Sequence, residues 1–128
     1  MTTQAHTPAQ VLIVDDEPAL RTTLQLAIGD LYQVTTCGSV KEALARFDRG
    51  ERFAVILCDL MLDPLSGIDL HEALVKRVPD QAARMIFMTG GAFTRQAQRF
   101  LEEVPNPHLQ KPFDFDRLLA LIDEIASS

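Results

Sequence analysis

The 128-residue chain has the length of one ordinary domain, enough to bury a sizeable core. Its 47% hydrophobic and 23% charged residues suit a globular protein, and a net charge of −6 argues against a nucleic-acid or anionic-membrane surface. No apolar run approaches the roughly 20 residues that span a bilayer, and the opening MTTQAHTPAQ shows no secretory-signal pattern.

Residues 1–9, including His6, are expected to be a disordered lead-in, and residues 10–128 a single domain. Val11, Leu12, Ile13 and Val14 form an apolar strand. Pro18 stands at a helix start, after which Leu20, Leu24, Ala27, Ile28 and Leu31 repeat at helical spacing. A short β-branched strand covers 32–36. Ser39 caps a helix with Val40, Ala43, Leu44 and Phe47 on its apolar side, closed by Gly50. The third strand, 53–58, runs directly into Asp59, a carboxylate that is costly beside a core strand unless something pairs with it. A helix over 67–78 stops at Pro79, and a fourth strand, 84–88, leads into Thr89-Gly90-Gly91. Phe93, Ala97, Phe100, Leu101 and Val104 mark a fourth helix, ended by Pro105 and Pro107. A brief strand, 108–110, precedes Asp114 as the cap of a fifth helix bearing Phe115, Leu118, Leu119, Ile122 and Ile125.

Several residues have plain structural readings. Cys37 and Cys58 lack CxxC spacing and are expected to be buried thiols of a reducing compartment. His71 is expected on a helix surface, Gly90-Gly91 in a flexible turn, and Phe93 and Phe100 in the core. Arg95, Arg99 and Arg117 are expected to form a solvated or partner-facing surface.

Apolar strands alternating with amphipathic helices predict an α/β fold, a parallel sheet covered on both faces. Ligand sites in such sheets lie beyond the carboxyl ends of the strands. The polar residues there are Asp15, Asp16 and Glu17, then Asp59, Thr89 and Lys111, so residues distant in sequence converge on one edge. Clustered carboxylates repel unless a cation joins them, and oxygen ligands without His or Cys suit Mg²⁺. The metal would leave one Asp59 oxygen free as a nucleophile toward a phosphoryl group, with Lys111 and the Thr89 hydroxyl meeting the phosphoryl oxygens. Glu17 is expected as a charge at the helix start, not a ligand.

The blocks VLIVDDEPALR, VILCDLMLDPLSGIDL, MIFMTGG and LQKPFD, in order and at matching spacing, resemble the signature blocks of response regulator receiver (CheY-like) domains of two-component signalling. The resemblance covers about residues 10–126. It implies a single-domain flavodoxin-like (βα)5 three-layer sandwich, with five parallel strands in the order 2-1-3-4-5. It implies that Asp59 takes a phosphoryl group from a histidine kinase, or a phosphotransfer protein, in the presence of Mg²⁺. Asp16 would bind the metal directly and Asp15 through water, with Asp59 and the Met61 backbone carbonyl completing the protein ligands. Thr89 and Lys111 would contact the phosphoryl group, and the Lys111–Pro112 bond would be cis. Thr89 would act as a switch residue, with His108, at the second switch position, either rotating inward with it or staying exposed. The switch would alter the face of the fourth helix, fifth strand and fifth helix, through which the chain contacts a downstream protein or forms a weak dimer; otherwise it is monomeric. Such a protein is a cytoplasmic phosphorelay module, not an enzyme toward other substrates.

Two positions depart from the family pattern. Asp63 stands where relatives more often have proline, and His108 where they carry Tyr or Phe. An aspartate-nucleophile phosphohydrolase would need a carboxylate two residues after Asp59, where this chain has Met61. An inert pseudo-receiver is opposed by the intact Asp15, Asp16, Asp59, Thr89 and Lys111. Met1-Thr2-Thr3-Gln4 resembles a natural start, so a stand-alone receiver is expected, with a receiver excised from a hybrid histidine kinase as the alternative. Met61 and Gly91 flank the path of a hydrolytic water in receivers, and neither orients one, so a long-lived phosphoryl adduct is expected.

Overall fold

A computed structural model describes residues 8–90 and 94–128. Residues 1–7, with His6, and the positions Gly91 and Phe93 lie outside the described residues, and so do the expectations placed on them. The elements in order are β1 (Gln10–Val14), α1 (Pro18–Ile28), β2 (Gln33–Cys37), α2 (Val40–Asp48), β3 (Val55–Asp59) and α3 (Gly67–Arg77). There follow α4 (Pro79–Ala82), β4 (Met85–Thr89), α5 (Arg95–Glu103), β5 (His108–Gln110) and α6 (Phe115–Ala126).

The five strands form one parallel sheet in the order β2-β1-β3-β4-β5, the expected flavodoxin-like arrangement. Side chains alternate along each strand, so one sheet builds two cores. Leu12, Val14, Ile56, Cys58, Met85 and Phe87 face α2, α3 and α5, which contribute Ala43, Phe47, Leu70, Leu74, Ala97 and Leu101. Val11, Ile13, Val55, Leu57, Ile86 and Met88 face α1 and α6, which contribute Leu24, Ile28, Leu118 and Ile122. Burial on both faces is why these strands read as unbroken apolar runs. No helix among the described residues is long and apolar enough to cross a membrane.

The helix count differs from the expected five. Pro79 does not only end α3; it opens the one-turn α4, whose Gln81 is buried and exchanges two hydrogen bonds with the Phe53 backbone, at 2.8 and 3.0 Å. That pairing ties α4 to the segment leading into β3, the central strand. The fourth and fifth expected helices are therefore α5 and α6. Helix α1 stops at Ile28, where the Gly29 N–H closes on the Gln25 carbonyl, so Leu31 lies beyond it, 58% exposed, and Ala27 faces solvent.

His71 is not a surface residue. It is half-buried between α3, β4 and α5, its ring edge-on to Phe87 and Phe100 at centroid distances of 5.9 and 5.2 Å. Cys37 and Cys58 are buried free thiols, and burial pushes both pKa values up. Arg95, Arg99 and Arg117 are exposed, as expected.

Candidate functional site

The carboxyl ends of β1, β3, β4 and β5 are adjacent in the sheet; β1, β3 and β4 each deliver a polar residue where an apolar run stops, and the short β5 delivers one directly after it. Asp59 and Thr89 are the last residues of β3 and β4, one position further along than the expected strand ends. Asp15 follows β1 and Lys111 follows β5, held in register by backbone bonds from Asp15 N–H to the Cys37 carbonyl (3.1 Å) and from Lys111 N–H to the Thr89 carbonyl (2.7 Å).

Lys111 joins the two buried carboxylates. Its Nζ donates to Asp15 Oδ2 at 2.9 Å and to Asp59 Oδ2 at 3.3 Å, while Asp15 is fully buried and Asp59 9% exposed. The other oxygens accept from backbone: Asp15 Oδ1 from the Glu17 N–H at 2.8 Å, Asp59 Oδ1 from the Met61 N–H at 3.0 Å. Burial pushes the Lys111 pKa down, but the hydrogen bond to Asp15 and the charges of Asp59 and Asp15 outweigh it and hold the ammonium above its ordinary value. The strand-end carboxylate that looked costly from sequence is thus paired.

Asp16 is exposed, and its carboxylate, with those of Asp15 and Asp59, offers ligand atoms all within 4.8 Å of one another. Three carboxylates face one ammonium, an excess of two negative charges on hard oxygen donors. That donor set fits a divalent oxygen-seeking cation such as Mg²⁺. Glu17 sits exposed at the N-cap of α1, and its part in the site is its backbone N–H.

Thr89 is buried, its hydroxyl donating to the Leu109 carbonyl at 3.4 Å, and His108 is exposed on β5. The Lys111–Pro112 peptide is cis, and so is Asp63–Pro64, in a loop where Asp63 is exposed. Met61 is 45% exposed.

Two contributors escaped the sequence reading. Arg21 Nη1 donates to the Asp15 carbonyl at 2.7 Å. Gly67 packs against the Asp59 backbone, its N–H bonded to the Leu60 carbonyl at 3.0 Å. The signal for Arg21 was a cation one turn into the helix that follows an acidic pair; Gly67 carried none, because its role depends on a tertiary approach.

The family model of the response regulator receiver domain matches residues 11–123. The chain is 31% identical over 121 residues to the transcriptional regulatory protein GlrR of Escherichia coli strain K12, covering 94% of this chain and 27% of that protein. It is 35% identical over 114 residues to the response regulator protein PilR of Pseudomonas aeruginosa, covering 88% of this chain and 25% of that one. The chain spans about a quarter of the length of these relatives. A response regulator receiver domain protein from Clostridium thermocellum superposes with a TM-score of 0.81 at 25% identity, covering 93% of this chain and 94% of the other. The receiver domain of the Francisella response regulator 1452 shares the fold, with a TM-score of 0.80 at 23% identity over 93% of this chain and 97% of the other.

Proposed function

Since the chain belongs to the response regulator receiver domain family, the signalling modules of two-component systems, we propose that Asp59 is its phosphoacceptor. A phosphohistidine of a histidine kinase or phosphotransfer protein is the donor. An Asp59 carboxylate oxygen forms the new O–P bond as the P–N bond breaks, and the electron pair leaves on the imidazole, which takes up a proton. The observation that carries this reading is the Lys111 ammonium shared between Asp15 and Asp59. It neutralises charge where phosphoryl oxygens arrive, so that the incoming dianion meets a cation rather than bare carboxylates. The proposed metal ligands are Asp16, Asp59, the Met61 carbonyl and, through water, Asp15. Bound Mg²⁺ would supply further positive charge against the phosphoryl oxygens.

The output surface in this reading is the face of α5, β5 and α6. Thr89 and Lys111 lie at the sheet edge beside it, and a surface cavity of about 380 Å³ there is lined by Thr89, His108, Leu109, Gln110, Phe113 and Arg117. A phosphoryl group that draws the Thr89 hydroxyl from the Leu109 carbonyl would bias this face, with His108 as the second switch residue. The target is a downstream protein, met as a monomer or weak dimer, and the place of action is the cytoplasm.

The test is intact mass after incubation with acetyl phosphate and Mg²⁺. The wild type gains one phosphoryl group and Asp59→Asn gains none; an adduct of equal yield in Asp59→Asn overturns the assignment.

A further inference from the structure

We propose that Arg21 is a positioning residue that sets the direction of Asp16, an inference that rests on the reading of the acidic cluster as a divalent-cation site. Asp15 and Asp59 each have both carboxylate oxygens engaged by hydrogen bonds. Asp16 is exposed, and among the described residues none of the hydrogen bonds and ion pairs of the site reaches its carboxylate. Its aim is therefore set by its backbone, above all by the peptide that joins it to Asp15.

The carbonyl of that peptide is the one Arg21 grips, at 2.7 Å. A charged donor holds a carbonyl more firmly than an amide does. Arg21 stands on α1, which Leu24 and Ile28 anchor in the core, so the guanidinium ties the loop after β1 to a packed helix. The turn after β2 leaves space for it: a Cβ on Gly38 would lie 3.2 Å from Arg21 Nη1. Among the described residues, Arg21 makes no hydrogen bond or ion pair with the carboxylates of Asp59, Asp15 or Asp16. It acts through the Asp15–Asp16 peptide alone. Removing a group that orients a metal ligand commonly weakens metal binding by roughly 10- to 100-fold.

The experiment is an Mg²⁺ titration followed by NMR at the backbone amides of Asp16 and Glu17, with thermal unfolding in EDTA alongside. The proteins are wild type, Arg21→Gln, Arg21→Lys, Gly38→Ala and Asp16→Asn. Arg21→Gln should weaken Mg²⁺ binding roughly 10-fold, Arg21→Lys should regain most of it, and Gly38→Ala, which crowds the guanidinium, should fall between. Unfolding in EDTA should differ little among the Arg21 variants. Wild-type affinity in both Arg21→Gln and Gly38→Ala overturns the inference, as does a loss that lysine does not restore and that tracks the unfolding temperature. A wild type that binds no Mg²⁺, or an Asp16→Asn protein that binds it equally well, overturns the cation-site reading and the inference with it.

Discussion

Gly67 lies so close to Asp59 that a Cβ added to it would sit 2.8 Å from the Asp59 carbonyl oxygen and 2.9 Å from the Leu60 Cα. Both obstacles are backbone, so no rotamer change relieves them. Ser66 then caps α3 in a reciprocal box with Asp69, and the Gly67 N–H returns to the Leu60 carbonyl. The loop that bears Met61 is therefore clamped between Asp59, at the end of β3, and the first turn of α3.

Gly67→Ala should accordingly destabilise the protein by about 1–3 kcal/mol, the usual cost of forced overpacking. It should also shift the Met61 N–H off Asp59 Oδ1. Thermal unfolding and the amide resonance of Met61 report the two effects. An unchanged unfolding temperature together with an unchanged Met61 resonance would show that the loop absorbs the methyl group and that the clamp is not rigid.

Lys111→Ala leaves the fully buried Asp15 without its countercharge. Removing one partner of a fully buried pair costs about 3–5 kcal/mol. Here the lysine side chain is 25% exposed, so about 1–3 kcal/mol is expected in EDTA. Because the folded-state pKa of Lys111 is raised, its contribution is fully present below the ordinary value of 10.5 and is lost as pH rises through the raised one. Wild type should therefore lose stability faster than Lys111→Ala in alkaline solution. Parallel loss in both proteins would mean that the ammonium contributes nothing to the fold.

Much of this architecture was legible because burial on both faces of a parallel sheet writes itself as apolar runs, and because each run breaks at a polar residue. Asp15, Asp59 and Thr89 could be collected from that rule alone, and Lys111 as the residue after the brief fifth strand, before any distance was known. What the rule does not carry is approach between elements. Gly67 against Asp59, Arg21 on the Asp15 carbonyl and Gln81 on the Phe53 backbone depend on how a helix is set against a strand end, which leaves no periodic trace. His71 was misread for the same reason. It adjoins Leu70 on α3, one step off the stripe of Leu70 and Leu74, and it is covered by Phe100 from a helix distant in sequence. Leu31 was misread the other way: it continues the stripe of α1, but the helix has already ended at Ile28.

His71 gives a pH dependence whose sign follows from its burial. Burial pushes its pKa below the ordinary 6.5, against the opposing pull of Glu72 and a hydrogen bond with Asn106. As pH falls, the unfolded chain takes up the proton first, so stability held above the ordinary value declines below it and levels off beneath the folded-state pKa. Urea midpoints at about pH 7.5 and about pH 5.5 straddle the ordinary imidazole range. Wild type should lose more between them than His71→Phe, which keeps an aromatic ring against Phe87 and Phe100. An equal or larger loss in His71→Phe would assign the acid sensitivity elsewhere.

The lifetime of the phosphoryl group on Asp59 is set, on the proposed function, by how well a water is placed in line with the O–P bond. Met61, two positions after Asp59, is held close in the chain by the bond from its own N–H to Asp59 Oδ1, and it is 45% exposed. A thioether neither takes a proton nor orients a water by strong hydrogen bonding. Positioned acid–base groups commonly contribute 10²- to 10⁴-fold, and a half-exposed side chain that only orients water should give less. Met61→Asn should therefore shorten the lifetime of purified phosphoprotein by roughly 3- to 30-fold. Gly91→Glu, at the other position expected to flank the path, should act in the same direction. The measurement is phosphoprotein decay in Mg²⁺ after the donor is removed, with intact mass as the readout. Decay that is unchanged or slower in both variants would show that these two side chains do not control the water, and the explanation for a long-lived signal would fail.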